Sequence, residues 1–232
     1  MKDIFSRESH VRKVIVGAAI GFLVLLALGM DPLGRNTGQT QVAYLSREHS
    51  YGAHSVFESE LLNLSFTVPE GHIMLTDEGL ALMFAEVVVL RDDGLIDEER
   101  SLTVPKLMTY HPDDAFPMLV ISLERFERLL PIWGDQDLSS DQRIALFIEV
   151  LEFGGLSEQG IEIIASVVSE DTLAGERYII FSAYTYTRGM EQMQKYFFRE
   201  IDEGLIVIML SFLPGMEREV DVFLEAFTAL NG

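Results

Sequence analysis

The chain has 232 residues, 48% of them hydrophobic, which suits one domain with a sizeable core and a short additional segment. Lys and Arg number 17 against 37 Asp and Glu, for a net charge of −20. Such a surface repels nucleic acid and anionic lipid and accepts a cation or a basic protein. The absence of cysteine excludes disulfides, thiolate catalysis, a lipoprotein anchor through an N-terminal Cys, and Cys-held zinc or iron–sulfur centres.

The charge is unevenly spread. Residues 1–30 hold four of the basic residues (Lys2, Arg7, Arg12, Lys13) and two of the acidic ones, which leaves 13 against 35 and a net of −22 in the rest. Residues 1–13 form a basic head, and residues 14–30, VIVGAAIGFLVLLALGM, are free of charge. As a helix this run spans about 26 Å at about 1.5 Å per residue. A bilayer core is about 30 Å thick, and Arg12 and Lys13 can snorkel to its edge. The rival reading is a cleaved signal peptide, for which Ala27-Leu28-Gly29 supplies a small-x-small site. We expect a retained single transmembrane helix. The positive-inside rule then places the N-terminus in the cytoplasm and the body in the periplasm, on the inner membrane of a Gram-negative cell. Gly17, Ala18 and Gly21 form a small-residue face of the GxxxG type, which lets a second membrane helix approach closely.

Residues 31–60 read as a linker, opened by Asp31-Pro32 and continued by the polar GRNTGQTQ. Residues 61–232 read as the extracytoplasmic acidic domain. LSFTVPEGH (64–72) alternates and meets a Pro-Glu-Gly turn. LALMFAEVVVLRDDG (80–94) favours strand at Val87, Val88 and Val89. Residues 95–117 read as irregular, broken at Pro105, Pro112 and Pro117, and MLVISLERF (118–126) reads as a strand. Ser139-Ser140-Asp141 caps a helix over 143–153 that Gly154-Gly155 closes, with Ile144, Phe147, Ile148 and Leu151 as its apolar stripe. IEIIASVVSED, GERYIIFSAYTYTR and MQKYFFREIDEGLIVIMLSFLP follow as strands, the last a hairpin broken at Asp202-Glu203-Gly204. A closing amphipathic helix over 216–230 puts Val220, Phe223, Leu224 and Phe227 on one face. An antiparallel sheet with helices before and after it is an α+β arrangement.

The opening SFTVPEGH (65–72) resembles the first strand of PsbP/Mog1-like domains, with His72 where that family usually has tryptophan. The capped helix, the meander ending in IVIMLSF (206–212) and the closing helix with FLEAFTAL are similar as well. The resemblance covers about 61–230. It implies an α/β/α sandwich on an antiparallel sheet, no catalytic residues, and work as an adaptor or assembly factor on larger complexes, photosystem II among them.

Known catalytic signatures are missing: no GxSxG, GxxxxGK[ST], HExxH or GxGxxG occurs. His10, His49, His54, His72 and His111 are scattered, and His111-Pro112-Asp113-Asp114 reads as a solvated turn. Asp135, Asp137 and Asp141 begin somewhat like a calcium loop, but its sixth-position glycine and twelfth-position glutamate are absent. We therefore expect no metal, no cofactor and no enzyme. Trp133, in the loop PIWGD, is a candidate partner or lipid contact. Tyr184 and Tyr186 share one strand face and are candidate partner contacts. The function these features favour is a non-catalytic, membrane-anchored accessory subunit docked on the periplasmic face of a larger membrane protein complex. The alternative is a tethered binding module for a small ligand, cation or basic protein, with a pocket lined by Tyr184, Tyr186 or Phe198.

Overall fold

A computed structural model describes residues 50–51, 55–76, 106–113, 115–126, 137–156, 161–187 and 189–230, with Leu80, Leu129 and Trp133 placed singly. The membrane helix over 14–30, its contact face at Gly17, Ala18 and Gly21, and the strand reading around Val87, Val88 and Val89 lie outside the described residues. Among the described residues no helix is long and apolar enough to cross a membrane.

In chain order the elements are β1 (Ser50–Tyr51), β2 (Val56–Ser59), β3 (Leu64–Thr67), β4 (Ile73–Thr76), β5 (Leu107–Tyr110), β6 (Met118–Arg125), α1 (Ser140–Val150), β7 (Glu162–Leu173), β8 (Glu176–Thr187), β9 (Met190–Ile201), β10 (Gly204–Phe212), α2 (Glu217–Glu225) and β11 (Phe227–Thr228). Among the described residues eight strands form one sheet in the order β1-β4-β5-β6-β10-β9-β8-β7, and β11-β3-β2 form a small second one. Every pairing is antiparallel. The described residues form an α+β fold, mostly antiparallel sheet with α1 and α2 as its helices, as the periodicity predicts.

Period-two side chains split the core between the two sheet faces. On one face α1 lays Ile144, Phe147 and Ile148 over Phe198, Val207 and Val120, with the Phe147 and Phe198 rings 5.6 Å apart. On the other face α2 sends Val220 and Phe223 down beside Phe66 and Phe227 of the small sheet, over Leu119, Ile206 and Ile208. The second cover is thus a helix and a small sheet together, where the sequence predicts helix alone. β10 lies between β6 and β9, and all nine of its residues are buried.

The caps follow local chemistry. Ser139 Oγ accepts from Gln142 N at 3.4 Å, and Gln142 Oε1 accepts from Ser139 N at 2.9 Å. This reciprocal box satisfies two donors that a helix start leaves free, and its loss costs about 1 kcal/mol. At the hairpin, Gly204 carries φ +157°, and a Cβ there would lie 2.2 Å from the Glu124 carbonyl oxygen of β6. Only glycine lets β10 start that close to its neighbour.

Four expectations change. The span read as linker supplies β1 and β2, which pair with β4 and β3, so the folded body includes Ser50. Residues 95–117 are not wholly irregular, because Leu107–Tyr110 form β5 between two prolines. Gly154-Gly155 do not close the helix: α1 stops at Val150, and a π-helical turn carries the chain through both glycines to Leu156. The closing helix stops at Glu225, because the backbone at Phe227 and Thr228 pairs with Phe66 and Ser65.

Candidate docking surface

β7 is strand for a plain reason. Ile163, Ile164, Val167 and Val168 are β-branched and fit a pleated surface. Its place is unusual for such a sequence: it ends the sheet, paired with β8 on one side and with no described strand on the other. All but two of its twelve residues are exposed. Val167 is 59% exposed, Val168 56% and Ile164 50%, although an apolar run of this kind is ordinarily interior. The buried stripe of α1 packs on Ile179, Phe181, Phe198 and Val207 and so leaves Val168, paired with Phe181, at its margin; Val167, paired with Ser182, lies on the opposite face.

A groove of about 310 Å³ remains between α1 and β7, lined by Ala145, Ile148, Val168 and Ile179 with Asp141, Ser169 and Glu170. Arg177 closes its acidic rim. Its guanidinium donates to both Asp141 oxygens, at 2.9 and 3.1 Å, and through Nε to Glu170 Oε2 at 3.0 Å. The hydrogen bonds from Arg177 hold the Asp141 and Glu170 carboxyls below their ordinary values and push the arginine up. Ser166 Oγ donates to Glu152 Oε1 at 2.7 Å and ties the strand to the turn after α1. The surface is therefore apolar along β7, acidic at its ends, and backed by open backbone groups.

The residues singled out in the sequence fall elsewhere. Trp133 is 4% exposed, donates its Nε1–H to the Arg143 carbonyl at 3.0 Å, and lies under the Arg143 guanidinium at 5.6 Å. Arg143 in turn forms a two-pronged ion pair with Glu200. A buried indole held this way packs the core and presents nothing to a partner or to lipid, which corrects the surface reading. Tyr184 is half-buried and hydrogen-bonds Glu191, which raises its phenol pKa, while Tyr186 is 42% exposed. Both share the face of Tyr178 and Ile180, whereas Phe198 packs on the α1 face. These three aromatics therefore do not line one pocket. His72 is 8% exposed and meets the rings of Phe223 at 4.8 Å and His111 at 5.4 Å, both edge-on. Among the described residues no three His, Asp or Glu gather as a metal site requires.

β7 itself was legible as a strand but not as an edge. Its one signal was the lack of alternation at Val167-Val168 with acids crowding both ends, a pattern for which a buried strand has no use.

The class defined by this geometry is an α+β domain with an antiparallel sheet covered on both faces and with no described strand along one long edge. The chain matches no family model and no curated protein. Among solved structures it is similar to cyanobacterial PsbP (CyanoP) from Synechocystis sp. PCC 6803, at 11% identity and a TM-score of 0.43, covering 77% of this chain and 94% of that one. LpqN, involved in cell envelope biogenesis of Mycobacterium tuberculosis, matches at 13% identity and a TM-score of 0.38, over 80% and 94%. PA94 from Pseudomonas aeruginosa, a protein of unknown function, matches at 10% and 0.35, over 75% and 94%. The first is a PsbP, of the family that the sequence resembles. At these identities and TM-scores the likenesses carry neither membership nor function.

Proposed function

We propose that this chain is a non-catalytic accessory subunit, anchored in the inner membrane by residues 14–30, whose acidic domain docks on the periplasmic face of a larger membrane protein complex. The observation that supports it best is the edge at β7, which has no described strand beyond it and exposes Ile164, Val167 and Val168. Exposed apolar surface of this kind marks interaction sites. The anchor and its direction come from the charge-free run and the basic head, and Gly17, Ala18 and Gly21 supply a second contact inside the bilayer. The PsbP/Mog1 resemblance makes a photosynthetic or respiratory complex the natural host. Purifying the full-length chain from its native membranes in mild detergent tests the reading. Partners in fixed stoichiometry are expected; a clean monomer refutes it.

A further inference from the structure

The mode of docking can be read from β7. Its uncharged stretch, residues 163–169, is bracketed by Glu162 on one side and by Glu170 and Asp171 on the other. An open strand edge of this length is a template for another strand. Its two ends are blunted. Asp171 Oδ1 accepts from Thr172 N at 2.7 Å, and the pairing with β8 shifts register between Ile163 and Ala165. The middle has no charge, no proline and no bulge.

A second copy of the chain fits this edge badly. Antiparallel pairing of two β7 strands about Ser166 brings the Glu162 end of each copy against the Glu170–Asp171 end of the other. Like charges facing across a strand pair destabilise it, and each copy carries a net charge of −20. Cations at the same positions of an incoming strand turn that repulsion into attraction. The groove beside Val168, floored by Ala145, Ile148 and Ile179, offers a seat for one apolar side chain.

We propose that β7 takes up an extended segment of another protein as an added strand, apolar in its middle and bearing Lys or Arg at both ends, with one apolar side chain in the α1–β7 groove. This rests on the docking reading and names the chemistry of its partner.

The test uses full-length protein in detergent and two synthetic peptides, Lys-Lys-Val-Thr-Val-Thr-Val-Lys-Lys and its twin with Glu at every Lys. Backbone hydrogen exchange is followed along β7. The Lys peptide should slow exchange over 164–170 and the Glu twin should not. Val167→Lys with Val168→Lys, at two exposed positions, should weaken the Lys peptide about tenfold or more through lost cross-strand contacts and added repulsion. The thermal midpoint should stay in place. Equal protection by both peptides, or by neither, overturns the proposal. So does protection that rises with protein concentration in the absence of peptide, which marks a second copy as the occupant. If the native complex co-purifies unchanged with the double-Lys variant, strand addition at β7 fails while the accessory-subunit reading stands.

Discussion

Phe66 offers the sharpest test of how the sheet is covered. Its ring is fully buried, 4.8 Å from the ring of Phe227 and 6.0 Å from that of Phe223. It therefore joins β3 to both β11 and α2. Phe66→Ala removes the ring and leaves a cavity between layers that cannot readily collapse, at a cost of about 3–5 kcal/mol. For a body of this size, 4 kcal/mol corresponds to a fall of about 8–16 °C in midpoint. Phe66→Leu should cost less, about 1.5 kcal/mol. Urea unfolding followed by circular dichroism reads the loss, and hydrogen exchange at Phe227 and Thr228 reads where it falls. Because the small sheet is the second cover of the main sheet, unfolding should remain one transition with an unchanged slope. A loss under about 1 kcal/mol, or early release of β11 in a step of its own, would refute the covering role.

Three further outcomes are expected. Gly204→Ala should destabilise by about 2–3 kcal/mol, because the new Cβ meets the Glu124 backbone. Gly175→Ala, at φ +79° with nothing within 4 Å, should cost about 1 kcal/mol for its backbone strain alone, so equal losses by urea titration would contradict the close approach. The Asp141 and Glu170 carboxyls titrate lower in the folded state than unfolded, so their contribution is present above the ordinary carboxylate range and lost as pH falls through the folded values. Arg177→Met should accordingly lower stability above about pH 4 and converge with the parent in strong acid, as acid titration of the unfolding midpoint will show. The single Trp133 should emit at blue-shifted wavelength, resist acrylamide quenching and ignore added lipid vesicles; a shift on adding vesicles would return it to the surface.

What the sequence disclosed was what local chemistry decides. β7 to β10 are long, with alternating or β-branched runs and turns such as Asp202-Glu203-Gly204, and α1 announces itself by Ser139-Ser140-Asp141. β1, β2, β4, β5 and β11 are two to four residues long and owe their strand geometry to partners far along the chain. Phe227 misleads for the same reason: it continues the helical stripe of α2, but its backbone is claimed by Phe66. Trp133 looked like a loop residue beside Pro131 and Gly134, and only the fold brings Arg143 across it. The site was half legible, since strand type is local while edge position is a property of the whole sheet.

The strand order has a consequence for reach. The described chain enters the large sheet at β1, one margin, and β7 is the other. Seven inter-strand steps of about 4.8 Å separate them, a breadth of about 34 Å. The sheet is then a spacer as well as a core. It holds the β7 margin a full domain-width away from the point where the described chain comes in, so the two margins face different surroundings.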